Sequence, residues 1–154
     1  MKNFDVPIGI LGGTFDPVHI GHLRLALSAE AALQLERVHL MPCFIPVHRA
    51  SPVASPDARL AMLQEAIIDE PRLFVDSREI IRQTPSYMID TLIDIRREMP
   101  HTPLALIVGL DVFLNFHTWH RYQELLEMAH IVIAHRPSIM LPKDGLIAEL
   151  IQIR

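Results

Sequence analysis

Cysteine is almost missing from this sequence: Cys43 is the only one in 154 residues. No disulfide can form within one chain, and the composition fits a reducing compartment, with the cytoplasm as the expected location. Apolar runs of about 18 residues, the length a membrane helix needs, are missing too. Lys2-Asn3-Phe4-Asp5 does not open like a signal peptide. Positive charge is not in excess, with 14 Lys+Arg against 18 Asp+Glu and a formal charge of −4. A general nucleic-acid or membrane-surface binder would show a basic patch or stripe, so neither is an expected partner. Aromatic residues make up only 6% and tryptophan occurs once, so the position of Trp119 carries weight. Glycine is scarce as well, six in all, yet three of them (Gly12, Gly13 and Gly21) fall within one short stretch.

What remains is 50% hydrophobic and 21% charged, enough to bury a core in one domain of roughly 100–200 residues. No internal repeat or dividing linker is visible. The short run Val6–Leu11 stops at Gly12-Gly13 and predicts a buried strand entering a tight turn. Leu23, Ala26, Leu27 and Ala31 then recur at helical spacing. A strand is expected at Arg37–Met41, followed by an ordered, proline-rich loop over Pro42–Pro56. Ser55-Pro56 supplies an N-cap and a first-turn proline for a helix marked by Leu60, Leu63 and Ile67, reaching Asp69. Arg72–Asp76 reads as a strand and Glu79–Arg82 as ambiguous. Ser86 is expected to cap a helix with the stripe Met88, Leu92, Ile95, Met99, ended by Pro100. Leu104–Val108, ending in Gly109, has the continuous apolar character of a strand covered on both faces. A helix at about Trp119–Met128, a strand at Ile131–Ala134 and a helix around Asp144–Ile153 complete the series. Strands alternating with helices predict an α/β fold with a parallel sheet and right-handed crossovers. Ligands bind such sheets at the carboxyl ends of the strands, which directs attention to the loops after Leu11, Met41, Val108 and Ala134.

The first of these loops, Gly12-Gly13-Thr14-Phe15-Asp16-Pro17-Val18-His19-Ile20-Gly21-His22, leads into a helix. Its glycines let backbone approach a ligand, and the free N–H groups of a helix start favour an anion such as phosphate. His19 and His22, three apart, can face one bound group. The spacing matches neither the Walker loop nor the dinucleotide fingerprint. Taken alone, Gly12-Gly13 is ordinary turn chemistry. His-x-x-His, repeated at His117 and His120, is half a zinc site, but no carboxylate or cysteine stands at ligand spacing beside either pair.

The longer string Gly-Thr-Phe-Asp-Pro-x-His-x-Gly-His, at Gly13–His22, resembles the motif of the nucleotidyltransferase superfamily, in which the two histidines hold the phosphates of a nucleoside triphosphate. The resemblance implies a Rossmann-like parallel sheet with helices on both faces. Later segments are similar to those of bacterial nicotinate-nucleotide adenylyltransferases. They are Pro46-Val47-His48-Arg49, Arg59-Leu60-Ala61-Met62-Leu63, Pro85-Ser86-Tyr87-Met88-Ile89-Asp90-Thr91-Leu92, Gly109-Leu110-Asp111 followed by Trp119, and Arg136-Pro137. Membership implies adenylyl transfer from ATP to nicotinate mononucleotide, giving deamido-NAD and pyrophosphate, with His19 and His22 as the catalytic pair. It further implies an ATP site at Gly12, Gly13, Thr14, Phe15, His19, His22, Gly109 and Asp111. The mononucleotide would be held by His48, Arg49, Ser86, Tyr87, Trp119 and Arg136. Magnesium (Mg2+) would arrive with ATP rather than in a protein cage, and a homodimer is left open.

Three departures stand out. Val47 and Met88 replace the family's usual proline and threonine. The family's Ser/Thr-rich Ile-Ser-Ser-Thr-x-Ile-Arg segment has no counterpart, since Ile151-Gln152-Ile153-Arg154 shares only its ending. The expectation is one nucleotidyltransferase domain over residues 1–154, incomplete at its C-terminus. The alternatives are an adenine-nucleotide-binding module without turnover, or another adenylyltransferase such as the pantetheine-phosphate type, which usually has Thr or Ser where His19 stands.

Overall fold

The glycine pair that ends the first apolar run belongs to the strand itself: β1 is Ile8–Gly13, with Gly12 and Gly13 paired to Met41 and Pro42 of β2 (Val38–Pro42). The computed structural model describes residues 5–135 and 143–152. After β1 comes α1 (Ile20–Leu33), and after β2 come a short β3 (Ile45–Pro46), α2 (Pro56–Ala66) and β4 (Leu73–Val75). The chain continues through α3 (Arg78–Arg82), β5 (Pro85–Ser86), α4 (Met88–Glu98), β6 (Leu104–Gly109) and α5 (Leu110–Phe113). A 3-10 turn (Phe116–Thr118), α6 (Tyr122–Met128), β7 (His130–Ala134) and α7 (Gly145–Gln152) follow. The main sheet is parallel throughout, in the order β4-β2-β1-β6-β7.

Successive strand residues point to opposite faces, and both faces are covered. Ile8, Ile10, Met41, Leu104, Leu106 and Val108 meet Ile89, Leu92 and Ile95 of α4 and Leu125 of α6. On the other side Leu11, Val38, Leu40, Leu73, Ala105 and Ile107 meet Ala26 and Ala29 of α1 and Leu63 of α2. Each fully buried aliphatic side chain contributes roughly 1.5–3 kcal/mol, so this double layer is what fixes the strand order. The expected α/β fold with helices on both faces is the one observed.

Several expectations need correction. The Pro42–Pro56 segment is not all loop, because β3 pairs in parallel with β5. Ser86 does not cap α4: it lies in β5, and its Oγ accepts the Phe44 N–H at 2.9 Å. The N-cap is Tyr87, with no side-chain bond of its own. The helix expected from Trp119 starts only at Tyr122, since Arg121 sits at φ 55°, in the left-handed region. Ser55 does cap α2, accepting from Ala58 N, but the helix stops at Ala66. The ambiguous Glu79–Arg82 is helical. Arg136, Pro137, Ile153 and Arg154 lie outside the described residues.

Candidate active site

The two motif histidines build the start of α1 between them. His19 is the N-cap, and its Nδ1 accepts the Gly21 N–H at 3.1 Å. His22, three residues on, accepts the His19 N–H at its own Nδ1, also at 3.1 Å. This is a reciprocal capping box made with imidazoles where serine and glutamate are usual. The rings stack with centroids 3.8 Å apart. Because each Nδ1 accepts from a backbone N–H, a neutral ring must carry its proton on Nε2. Both side chains are thereby set as Nε2–H donors. Burial, then His19, then the charge of Arg49 push the His22 imidazole down to about 4, so it is neutral at pH 7.

Around this pair the loop is pinned from behind. Phe15, at φ 50°, is buried in the core and its ring meets that of His22 in a T-shaped contact, centroids 4.9 Å apart. It therefore orients the imidazole, leaving its backbone to any ligand. Asp16 uses both carboxylate oxygens on the Val53 and Ala54 N–H groups, at 2.7 and 3.1 Å. The Cys43 Sγ lies 3.8 Å from the Thr14 hydroxyl, and burial pushes its thiol up, which suits a packing role. Arg59 reaches the Thr14 carbonyl; sequence reasoning noted it only as part of a helix motif. Gly12 lies beneath Met88, whose Cε would be 2.9 Å from an added Cβ. That contact gives Met88, which departs from the expected threonine, a definite place over the end of β1.

The residues expected to hold the mononucleotide, Arg136 apart, come from three separate segments of the chain. The β3–β5 pairing draws the segment bearing His48 and Arg49 alongside Ser86 and Tyr87. His48 faces Trp119 across 6.1 Å at an interplanar angle of 14°. Trp119 is backed by Phe116 at 5.2 Å, and Tyr87 contacts His120 at 5.0 Å. His120, half of the His-x-x-His pair, packs against Tyr87 instead. Among the described residues no three His, Cys, Asp or Glu side chains are grouped to hold a metal ion. Arg49 stands near enough to His22 for its charge to help depress the imidazole.

Gly109 and Asp111 sit at the end of β6. Asp111 is in the first turn of α5 and exposed. A Cβ at position 109 would come within 2.5 Å of the Asp111 Oδ1, so the glycine makes room for the carboxylate. Of the expected site residues, Arg136 alone lies outside the described part of the chain. The rest line the carboxyl ends of β1, β2 and β6 and the adjoining β3–β5 loops, where an open parallel sheet places its ligands. Among the described residues, no helix is long and apolar enough to cross a membrane.

Comparison with known proteins places the chain in a family. A family model described as cytidylyltransferase-like matches residues 10–149. The chain is 52% identical over 145 residues to a protein of Aeromonas hydrophila subsp. hydrophila named "probable nicotinate-nucleotide adenylyltransferase", covering 94% of this chain and 68% of that one. A protein of the same name from Methylococcus capsulatus is 53% identical over 132 residues, covering 85% of this chain and 63% of its own. The chain thus spans about two thirds of the length of these curated relatives. The fold matches Plasmodium falciparum nicotinic acid mononucleotide adenylyltransferase complexed with NaAD, with a TM-score of 0.75 at 16% identity, over 90% of this chain and 68% of that one. By its identity to these relatives and its match to the cytidylyltransferase-like family model, this chain belongs to the nicotinate-nucleotide adenylyltransferases.

Proposed function

We propose that the chain transfers the adenylyl group of ATP to the phosphate of nicotinate mononucleotide. An ionised phosphate oxygen of the mononucleotide attacks the α-phosphorus, the bond to the β-phosphate oxygen breaks, and pyrophosphate leaves as deamido-NAD forms. The nucleophile is already charged, so the protein need not supply a base. Its task is alignment and neutralisation of negative charge. The observation that carries the proposal is the histidine capping box, which sets two Nε2–H donors at the start of α1.

In this reading His22 donates to the transferring phosphate and His19 to its neighbours, with Thr14 and the Gly12–Phe15 backbone lining the same groove. Gly109 lets the Asp111 carboxylate face the ribose hydroxyls. Trp119 and His48 take the pyridine ring between flat faces. The first turn of α4, directly after Ser86-Tyr87, offers amide N–H groups to the nicotinate carboxylate. Arg49 and Arg136 supply positive charge for the phosphates. Asp16 is committed to the Val53 and Ala54 amides, so the phosphate loop offers no acidic cage. Magnesium would come bound to the triphosphate and share in neutralising it. The substrates and the lone buried thiol both suit the cytoplasm.

The test is incubation with ATP, magnesium and either mononucleotide, with products separated by chromatography. Deamido-NAD and pyrophosphate are expected. Faster reaction with nicotinamide mononucleotide would overturn the acceptor assignment. Calorimetric ATP binding without pyrophosphate release would make the chain a nucleotide-binding module instead.

A further inference from the structure

Arg59 of α2 is the largest fully buried side chain in the molecule's described part; its guanidinium bonds three backbone carbonyls and also the Cys43 thiol. One terminal nitrogen donates to Thr14 O at 2.8 Å, in the phosphate loop. The other donates to Phe44 O at 3.2 Å, in the segment leading to His48 and Arg49. Its Nε donates to Ala54 O at 3.3 Å, just ahead of α2. A buried cation is costly unless well bonded, and a surface helix normally spends arginine on solvent. This one is instead the centre of a cross-linked unit. Around it Cys43 N donates to Gly13 O at 3.0 Å. Phe44 N is held by Ser86, and Val53 N and Ala54 N by Asp16.

We propose that Arg59 is a positioning residue that sets the triphosphate half of the site and the mononucleotide half at a fixed offset. The planar guanidinium donates in three directions at once, and no other standard side chain spans Thr14, Phe44 and Ala54 together. Each half is built locally, the first by the histidine cap and the second by β3–β5 and the His48–Trp119 stack. What Arg59 adds is their relative placement, and transfer between two bound substrates depends on it: a 1 Å error costs on the order of 10²-fold in rate. This kinetic consequence rests on the adenylyl-transfer assignment; the mechanical one does not.

The first test is amide hydrogen exchange on the unliganded wild-type chain. Cys43, Phe44, Val53 and Ala54 are expected to share one opening free energy, as one cooperative unit; four unrelated protection levels would overturn the proposal. In Arg59→Lys all four should exchange faster together. The folded variant should then lose on the order of 10²-fold in kcat, with the KM values for ATP and mononucleotide little changed. A variant with lower thermal stability but normal kcat would overturn the proposal, as would a rise in one KM with kcat intact. If Arg59→Lys does not fold, the wild-type exchange pattern decides. Should the wild-type chain show no turnover, the functional assignment fails while the exchange measurements still test Arg59.

Discussion

Removing the His22 imidazole separates its two roles. In the folded chain it titrates near 4 against an ordinary value of 6.5. Protonation therefore favours the unfolded state: the contribution of a neutral His22 is complete above pH 6.5 and drains away as pH falls towards 4. At about 1.4 kcal/mol per pH unit the whole interval would be worth about 3 kcal/mol. The ring is only half-buried, and solvent screening reduces that to about 1.5 kcal/mol. In His22→Gln the side-chain oxygen can accept the His19 N–H, as glutamine does in an ordinary capping box. That variant should fold without the pH-dependent loss. The assay is urea unfolding of both proteins at intervals from pH 4 to pH 7, where their difference should open by about 1.5 kcal/mol. On the catalytic side, His22→Ala removes one phosphate donor and should lower kcat on the order of 10²–10³-fold. His22→Gln keeps an amide donor and should recover part of the loss. Parallel stability curves, or turnover in His22→Ala within about tenfold of wild type, would refute the reasoning.

Trp119→Ala should raise the KM for nicotinate mononucleotide by about 5–150-fold, the value of one lost stacking partner, and leave the KM for ATP unchanged in steady-state assays. Asp76 is a buried carboxylate bonded to His39 Nδ1 at 3.1 Å and Arg78 Nε at 2.9 Å. Burial raises its carboxyl, but the bonds from His39 and Arg78 outweigh burial and hold it well below the usual carboxylate range. Its contribution is therefore present at neutral pH and lost as pH drops below about 4. Asp76→Asn should cost about 3 kcal/mol at pH 7 by urea titration. Gly9→Ala would bring a Cβ within 2.8 Å of Leu35 Cδ1 and 3.1 Å of Ile107 Cδ1 and Val38 Cγ2. About 1–3 kcal/mol of overpacking is expected by the same titration, with turnover of the folded protein unaffected.

The sheet was legible because its strands carry the required chemistry openly. Leu104–Val108 is apolar at every position since both faces are covered, and the alternation with helical stripes at Leu63 or Ile95 leaves little choice of topology. The site was less legible where a side chain works against its type. Histidine is not a usual helix cap, so pattern reading finds an anion site at His19 and His22 but not their mutual bonding. Ser86 looks like a cap, and only the long-range pairing of two-residue strands shows why its hydroxyl is spent on Phe44. Arg59 reads only as part of a helix motif until the carbonyls of Thr14, Phe44 and Ala54 are seen to converge on it. Arg121 took the left-handed conformation with no glycine or asparagine to announce it, which moved the start of α6 past Trp119.

The central place of β1 also has a consequence for how the chain is made. One edge of β1 is satisfied by β2 soon after it emerges, but the other waits for Leu104, Ala105 and Leu106. Until then Ile8, Ile10 and Leu11 lie in a half-paired strand, open to other chains. Long-range parallel pairing is intrinsically slow, so refolding should be slower than for a helical protein of this size and sensitive to protein concentration. During synthesis β1 leaves the ribosome before the other strands of this sheet, yet its second edge stays open until β6 follows.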